Sequence, residues 1–187
     1  MTAQTDNLKG KRILLGVTGG IAAYKVADLA SKLTAAGAVL KTIMTGSAQK
    51  LVAAKTFEAV TGQPVYTDMW CDPEDSRINH IQLADWADVV AVAPATANIL
   101  AKMACGFCDD LLSATLCVSW EKPILLAPGM NTRMWNNPAT QKNVEILKQR
   151  KIRLVGPAAG RLACGAEGVG RMAEPSEILA ALQDLLK

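Results

Sequence analysis

Almost wholly apolar runs alternate with helix-like segments along most of the chain. Five of these runs have the composition of buried strands, and each stops near a glycine, a proline or a hydroxyl-bearing residue. The predicted strands are residues 11–17, 39–45, 88–93, 123–127 and 153–157. The predicted helices, where apolar residues recur at helical spacing, are 21–36, a helix opening near 47, 97–104, 138–151 and 175–187. Apolar strands that alternate with helices predict a parallel sheet that is covered on both faces.

The sequence reads as one domain with an N-terminal tail. A chain of 187 residues is long enough to bury a sizeable core. Residues 1–9 are polar and lack the apolar centre of a signal peptide, so we expect a flexible tail. The longest apolar stretch, 87–104, is interrupted by charged, amide and proline residues. It therefore predicts a strand followed by a helix, and no membrane span. For the closing helix, Ser176 is the expected N-terminal cap.

Composition excludes several classes of protein. Hydrophobic residues make up 50% of the chain, which excludes a disordered protein. The net charge is only +3, no dense run of Lys and Arg is present, and aromatic residues are few, so nucleic acid is not an expected partner. Five cysteines without a secretory signal predict reduced thiols and a cytoplasmic protein.

Small, hydroxyl-bearing and amide-bearing residues follow four of the predicted strands. These strand ends are residues 18–21, 45–47, 94–98 and 128–131. Ligands of open α/β sheets bind outside the carboxyl ends of the strands, where helix N-termini can hold a phosphate. Any one of these loops could be an ordinary tight turn. Four of them at one edge of a sheet favour a nucleotide site.

The first and second strand ends indicate which nucleotide this is. The loop at 16–21 lacks the full Gly-x-Gly-x-x-Gly pattern, and Thr45-Gly46-Ser47 stands where dinucleotide sites carry an acidic residue. Hydroxyl groups suit a terminal phosphate better than a ribose diol. The sequence therefore favours a mononucleotide such as FMN over NAD, and it contains no Walker-type ATP loop.

Two single residues are candidate reactive groups. His80 is the only histidine, and an imidazole suits general-base chemistry near neutral pH. A structural or merely exposed imidazole is the alternative. Cys164 lies in the glycine-rich stretch 160–170, where a thiol could exchange a proton with a ligand. A small, buried apolar residue is the alternative for this cysteine.

Cys105-Gly106-Phe107-Cys108 has the spacing of a dithiol redox motif but not its context. It follows a predicted helix, whereas redox dithiols of this spacing follow a strand and open a helix. We interpret it as a turn between two helices. The adjacent Asp109-Asp110 is interpreted as a helix cap and not as a metal site.

Two motifs in the last third of the chain are more specific than these single residues. They are Pro-Gly-Met-Asn-Thr-Arg-Met-Trp at 128–135 and Ala-Cys-Gly with Gly-Arg-Met at 163–172. Together with Gly-Gly-Ile-Ala-Ala-Tyr-Lys at 19–25, Asn-His-Ile at 79–81 and Pro-Ala-Thr-Ala-Asn at 94–98, they make the chain resemble the flavin-dependent cysteine decarboxylases. The resemblance runs from Lys11 to about Leu182. One departure is Gly129, where the family more often has alanine.

The resemblance implies a fold, a cofactor and a reaction. The fold is a three-layer, Rossmann-like domain of flavodoxin type at residues 10–187, assembled as a homotrimer or a homododecamer with FMN near a subunit interface. The implied reaction converts 4'-phospho-N-pantothenoylcysteine to 4'-phosphopantetheine in coenzyme A biosynthesis. The thiol is oxidised to a thioaldehyde, carbon dioxide leaves, and the resulting enethiolate is reduced. A peptidyl-cysteine decarboxylase, a prenyl-flavin-forming transferase and a non-enzymatic flavoprotein regulator are the alternatives. Both a separate enzyme and a domain fused to the synthetase of its substrate remain open.

The resemblance also implies roles for individual residues. His80 is expected to be the base near the substrate thiol, Asn131 the anchor of the substrate carboxylate, and Cys164 the proton donor of the final reduction. Residues 160–172 are expected to form a flap over the substrate. The expected FMN contacts are Gly19, Gly20, Ile21, Thr45, Ser47, Pro94, Thr96, Ala97, Asn98, Ile99 and Gly129. The expected substrate contacts are Asn131, Met130, Ala163 and Met172.

Overall fold

The fold is built on a parallel sheet with a separate two-stranded hairpin. A computed structural model describes residues 6–70, 79–163, 165 and 167–187. The main sheet contains β1 (Arg12–Val17), β2 (Val39–Met44), β3 (Val65–Tyr66), β4 (Val89–Ala95), β5 (Ile124–Pro128) and β6 (Arg153–Leu154). The antiparallel hairpin contains β7 (Ala158–Arg161) and β8 (Glu167–Arg171).

Helices connect the strands and cover both faces of the sheet. They are α1 (Ala23–Ala35), α2 (Gly46–Gln49), α3 (Ala54–Thr61), α4 (Asn79–Trp86), α5 (Ala97–Cys105), α6 (Leu111–Val118), α7 (Thr132–Trp135), α8 (Pro138–Gln149) and α9 (Pro175–Leu185). Within the described ranges, none of these helices is long and apolar enough to cross a membrane.

The strand order places a ligand crevice beside β1. The order is β3-β2-β1-β4-β5-β6, and all neighbouring strands are parallel. Without the two-residue edge strand β3, this is the 2-1-3-4-5 order of flavodoxin-like sheets. The order reverses between β1 and β4, so the crevice at a topological switch point opens at the carboxyl ends of these two strands. The predicted doubly covered parallel sheet is confirmed.

The sheet separates two hydrophobic cores because successive side chains of a strand point to opposite faces. In β1, Leu15 packs into the first core with α1, α3 and α9, while Leu14 packs into the second with α4, α5, α6 and α8. Both leucines are fully buried. This explains why the strands are apolar throughout: neither face of the sheet is left to water.

Several local expectations differ from the structure. The tail does not extend to residue 9, because Leu8 is fully buried in the first core and Asn7 donates a hydrogen bond to the Gln183 carbonyl. Residues 1–5 of the expected tail lie outside the described residues. The cap of α9 is Glu174 and not Ser176, because Pro175 is already in the first turn of the helix.

One further difference concerns an edge strand, and two predictions about the segment after α5 are confirmed. The edge strand β3 is only two residues long, too short to give a periodic signal. The segment of Cys105 and Cys108 is the predicted helix-to-helix turn, between α5 and α6. The predicted cap there is confirmed, since the Asp110 carboxylate accepts from the Ser113 N–H at 2.8 Å and completes a capping box.

Candidate functional site

A cavity of about 570 Å³ opens at the carboxyl edge of the sheet, beside the switch point. Three segments and Thr96 form its wall. From the loop before α1 and from α1 come Gly19, Gly20, Ile21, Ala22, Tyr24 and Lys25; from the β5–α7 turn come Gly129, Met130, Asn131 and Met134; and from the hairpin and the residues beside it come Arg161, Leu162, Ala163, Gly170, Arg171 and Met172. The cavity thus joins residues from four of the five sequence motifs that carry the family resemblance, all except Asn-His-Ile at 79–81.

The loop after β1 packs tightly against neighbouring segments, which is possible because Gly19 and Gly20 have no side chains. A Cβ at Gly19 would overlap the side chain of Ser47, and a Cβ at Gly20 would lie 2.9 Å from Cγ of Pro94. The first turn of α1 has no side-chain cap, since Ala22 stands at the cap position. The Ala23 and Lys25 N–H groups donate to the Gly20 and Ala22 carbonyls, and the positive end of the helix dipole favours an anionic group such as a phosphate here.

Hydroxyl groups tie the two central strands together at the switch point. Thr18 Oγ1 donates to the Pro94 carbonyl at 2.5 Å and lies 3.3 Å from Thr96 Oγ1. Thr96 stands at the N-terminal cap of α5, and its side chain forms no cap hydrogen bond. A second helix thus begins at the crevice with no capping side chain. The N-terminal ends of α1 and α5 thus flank the switch point, where a mononucleotide such as FMN would bind.

The hairpin lies directly on the turn that follows β5. The Met130 N–H donates to the Gly170 carbonyl at 2.9 Å. A Cβ at Gly170 would overlap the Met130 carbonyl oxygen, and a Cβ at Gly168 would lie 2.5 Å from Thr132 Oγ1. Glycine is therefore required for this close contact. The hairpin base is fixed to the turn, while residues 161–163 near its tip complete the wall of the cavity.

Asn131 lies in the cavity wall and caps α7. Its side-chain oxygen accepts from the Arg133 N–H at 2.8 Å. Because the cap uses the oxygen as an acceptor, the amide nitrogen is the donor of this side chain. Gly129, two residues earlier, is packed between Pro94 and Met172, and a Cβ there would lie 3.2 Å from Cβ of each. An alanine at 129 would require these neighbours to shift by a few tenths of an ångström.

The structure brings many of the predicted residues together, but not all. Of the expected FMN contacts, five line the cavity: Gly19, Gly20, Ile21, Thr96 and Gly129. The others, which do not line it, are Thr45, Ser47, Pro94, Ala97, Asn98 and Ile99. Thr45 caps α2, Ser47 and Pro94 support the glycine loop from behind, and Asn98 is exposed. Ile99 is 1% exposed and packs in the second core, so a flavin contact there would involve its backbone.

The expected substrate contacts Asn131, Met130, Ala163 and Met172 all line the cavity. Cys164, the expected proton donor, lies outside the described residues, although Ala163 and Leu162 before it are part of the cavity wall. Three charged residues of the wall, Lys25, Arg161 and Arg171, were not predicted as site residues. Lys25 and Arg171 stand within the motifs quoted above, and a basic residue beside a glycine loop was the available signal.

His80 is separated from this cavity within one chain. It is the second residue of α4, a helix that was not predicted from the sequence. This helix leads into β4, so its first turn lies at the carboxyl edge of the sheet, but it packs against α6 on the face opposite α1. The side chain is half-buried, and its Nδ1 is buried without a hydrogen-bond partner among the described residues.

Comparison with known proteins identifies the family. A model of the Flavoprotein family matches residues 1–187. The chain belongs to the Flavoprotein family. The resemblance found in the sequence is therefore confirmed, and the Rossmann-like fold with it.

Several members of this family are similar over nearly the whole chain. The coenzyme A biosynthesis bifunctional protein CoaBC of Vibrio vulnificus is 46% identical over 176 residues, which are 94% of this chain and 43% of that protein. The chain thus spans less than half the length of this relative.

Two solved structures of decarboxylases are similar in fold to this chain. A cysteine-to-serine mutant of PPC decarboxylase complexed with pantothenoylaminoethenethiol has a TM-score of 0.83 and 35% identity, covering 94% of this chain and 97% of that chain. The FMN-dependent cysteine decarboxylase SpaF has a TM-score of 0.81 and 35% identity, covering 96% of this chain and 97% of that chain.

Proposed function

We propose that this chain is an FMN-dependent decarboxylase that converts 4'-phospho-N-pantothenoylcysteine to 4'-phosphopantetheine in coenzyme A biosynthesis. A single observation carries the proposal: one cavity joins the glycine loop before α1, the Asn131 turn and the hairpin that leads to Cys164. The 46% identity to a coenzyme A biosynthesis protein favours the same substrate. We expect the enzyme to act in the cytoplasm.

The crevice at the switch point would hold FMN. The glycine loop and the uncapped N-terminus of α1 would bind its phosphate, and Thr96 and Gly129 would contact the flavin side of the site. When bound, FMN would supply a two-electron redox couple for the oxidation of the substrate thiol and for the later reduction. The protein positions the substrate and moves the protons.

Three parts of the chain serve the substrate in this proposal. The Asn131 amide donates to the cysteinyl carboxylate and holds it until carbon dioxide leaves. Met130, Ala163 and Met172 supply apolar walls around the reacting carbon. The hairpin covers the substrate and excludes water, which strengthens polar contacts in the site and protects the reactive enethiolate. Cys164 gives the proton that completes the reduction.

His80 reaches the site from a neighbouring subunit in this proposal, within a trimer or a dodecamer. Large apolar side chains are exposed on the same face of the sheet: Ile81 on α4 is 41% exposed, Val118 at the C-terminal end of α6 is 40% exposed, and Trp120 in the turn after it is 74% exposed. Monomers rarely leave a large apolar patch in water. Packing this face on another subunit would bury the patch and carry the His80 imidazole to the neighbour's cavity.

A peptidyl-cysteine decarboxylase is the second candidate function. SpaF, a cysteine decarboxylase, and PPC decarboxylase are both 35% identical to this chain, and their TM-scores are 0.81 and 0.83. An enzyme that stops at the enethiol needs no proton donor for a reduction. The Ala-Cys-Gly sequence at 163–165 therefore favours the reaction that goes on to phosphopantetheine.

The proposed function predicts a yellow protein with a defined product. Purified protein should release FMN on denaturation, and incubation with 4'-phospho-N-pantothenoylcysteine should give carbon dioxide and 4'-phosphopantetheine. Mass spectrometry identifies the product, and a cysteine-terminated peptide offered in parallel tests the second candidate function. A colourless protein that FMN cannot reconstitute would exclude both functions. Turnover of the peptide alone would replace the first function by the second.

Replacement of Asn131 by aspartate should weaken substrate binding severely while preserving the fold. The carboxylate can still accept the Arg133 N–H and cap α7, but it has no donor and repels the substrate carboxylate. We expect KM to rise by roughly 100-fold or more, because a lost charge-assisted contact and a new repulsion act together.

The matched control is Asn137→Asp. Asn137 caps α8 in the same way, with its side-chain oxygen accepting from the Ala139 N–H at 2.9 Å, and it does not line the cavity. A wild-type KM in Asn131→Asp, or an equal rise in KM in both variants, would show that the Asn131 amide does not bind the substrate.

A further inference from the structure

The charged side chains of the cavity wall are all cationic. Among the described residues that line it, Lys25, Arg161 and Arg171 carry positive charge, and none is acidic. Most of the remaining wall is apolar or glycine. Positive groups in an apolar recess act over a longer range than on open surface, because less water screens them. The cavity is therefore suited to an anionic ligand.

Two of these cations share one carboxylate that stands behind the wall. Glu174 accepts from Lys25 Nζ at 2.8 and 3.0 Å, and from a terminal nitrogen of Arg171 at 2.8 Å. The three groups come from different parts of the fold: Lys25 from α1, Arg171 from the end of β8 and Glu174 from the cap of α9. One carboxylate against two cations leaves one positive charge in surplus.

Glu174 holds these cations in place and remains ionised. Its hydrogen bond from Lys25 is the largest of the effects that lower the pKa of this carboxyl below its usual value, and Arg171 adds to it. The side chain of Lys25 is only 23% exposed, whereas those of Glu174 and Arg171 are 45% and 39% exposed. The cluster is thus an ordered feature of the wall and not a set of freely moving surface charges.

We infer that Lys25 and Arg171 form a binding subsite for a phosphate monoester, with Glu174 as its counter-ion. The planar guanidinium donates to two phosphate oxygens at once, and the ammonium adds a point charge. A phosphate monoester carries close to two negative charges at neutral pH, which the surplus charge of the cluster attracts. The inference rests on the proposed function, because both the proposed cofactor and the proposed substrate end in such a group.

The source of the phosphate is tested by two pairs of ligands. Apoprotein is titrated with FMN and with riboflavin, and flavin-loaded protein with phosphopantothenate and with pantothenate, which lack the cysteine and cannot react. For each pair, the dissociation constant of the ligand without phosphate is divided by that of the ligand with phosphate. A higher ratio means that the protein selects the phosphate more strongly. The variants are Lys25→Met, Arg171→Met and Glu174→Gln. Lys148→Met removes an exposed positive charge from α8, on the far face of the sheet, and serves as the control.

We expect the two cation variants to lower one of these ratios by about tenfold each, the usual effect of losing a charge-assisted hydrogen bond. Whichever ratio falls identifies the source of the phosphate. Glu174→Gln should raise the same ratio by about threefold, since it removes a negative charge beside the phosphate. Glutamine retains an oxygen that can cap α9.

Opposite effects on this ratio, a fall in the two cation variants and a rise in Glu174→Gln, distinguish a binding subsite from a structural ion pair. Equal ratios in wild type and both cation variants would overturn the inference. So would a loss in Glu174→Gln as large as the losses in Lys25→Met and Arg171→Met, because a merely structural cluster fails whichever member is removed. Neither titration measures turnover, so wild-type assays with 4'-phospho-N-pantothenoylcysteine judge the proposed function independently.

Discussion

Replacing His80 by asparagine should leave a folded, flavin-binding protein that turns over 100- to 10,000-fold more slowly than wild type, roughly the range that general-base catalysis contributes. The imidazole is half-buried and its Nδ1 has no hydrogen-bond partner among the described residues, so the fold loses little with it. Circular dichroism and FMN titration check the fold, and single-turnover kinetics check the rate. Gln82→Ala, a change on the same helix, is the control.

Mixing two inactive variants tests where His80 acts. If a site takes Asn131 from one subunit and His80 from the next, co-assembled His80→Asn and Asn131→Asp chains contain some sites with both wild-type residues. Random mixing should restore about one quarter of wild-type turnover, because each interface pairs two independently chosen subunits. Full activity of His80→Asn alone would remove this residue from the mechanism. Absence of complementation in mixed oligomers would place His80 and Asn131 of one site in the same subunit.

Replacing Cys164 by serine should change the product and not only the rate. Oxidation of the substrate thiol and loss of carbon dioxide need no acid on the hairpin, whereas reduction of the enethiolate needs a proton. A thiol has a pKa near 8.5 and gives up its proton far more readily than a hydroxyl. We expect the variant to release carbon dioxide and to accumulate the enethiol, with almost no 4'-phosphopantetheine. Mass spectrometry of a single-turnover reaction measures all three.

Cys108→Ser is the matched control for this change. Cys108 is a free, exposed cysteine in the turn between α5 and α6 and does not line the cavity, so its product should be that of wild type. A normal yield of 4'-phosphopantetheine from Cys164→Ser would mean that the thiol is only a packed residue of the hairpin.

The central strands were predictable from the sequence. Because helices cover both faces of the sheet, nearly every side chain of these strands is apolar, and each strand appears in the sequence as a continuous apolar run. The order of strands and helices along the chain could be predicted from these runs. The edge strand β3 and the helix α4 were missed, since two residues carry no periodicity and α4 has a weakly separated apolar face around Leu83.

Many candidate site residues that belong to motifs lie together in the fold, whereas tertiary contacts decide the place of others. Gly19, Gly20 and Asn131 line the cavity, and their contacts with FMN or substrate stay predictions. Of the other expected FMN contacts, Ile99 packs in the second core and Thr45 caps α2, so neither lines the cavity. The shared carboxylate of Lys25 and Arg171 could not be foreseen, because Glu174 is distant from Lys25 in sequence.

The contact between the hairpin and the Asn131 turn has a consequence for protein engineering. Residues 129–132 and 168–170 interlock through two glycines and one backbone hydrogen bond, so neither segment has an independent shape. In a chimera that takes only the hairpin from another decarboxylase, the new hairpin would pack against a turn whose shape does not match it. Substrate preference should therefore transfer between family members only when both segments are exchanged as one cassette.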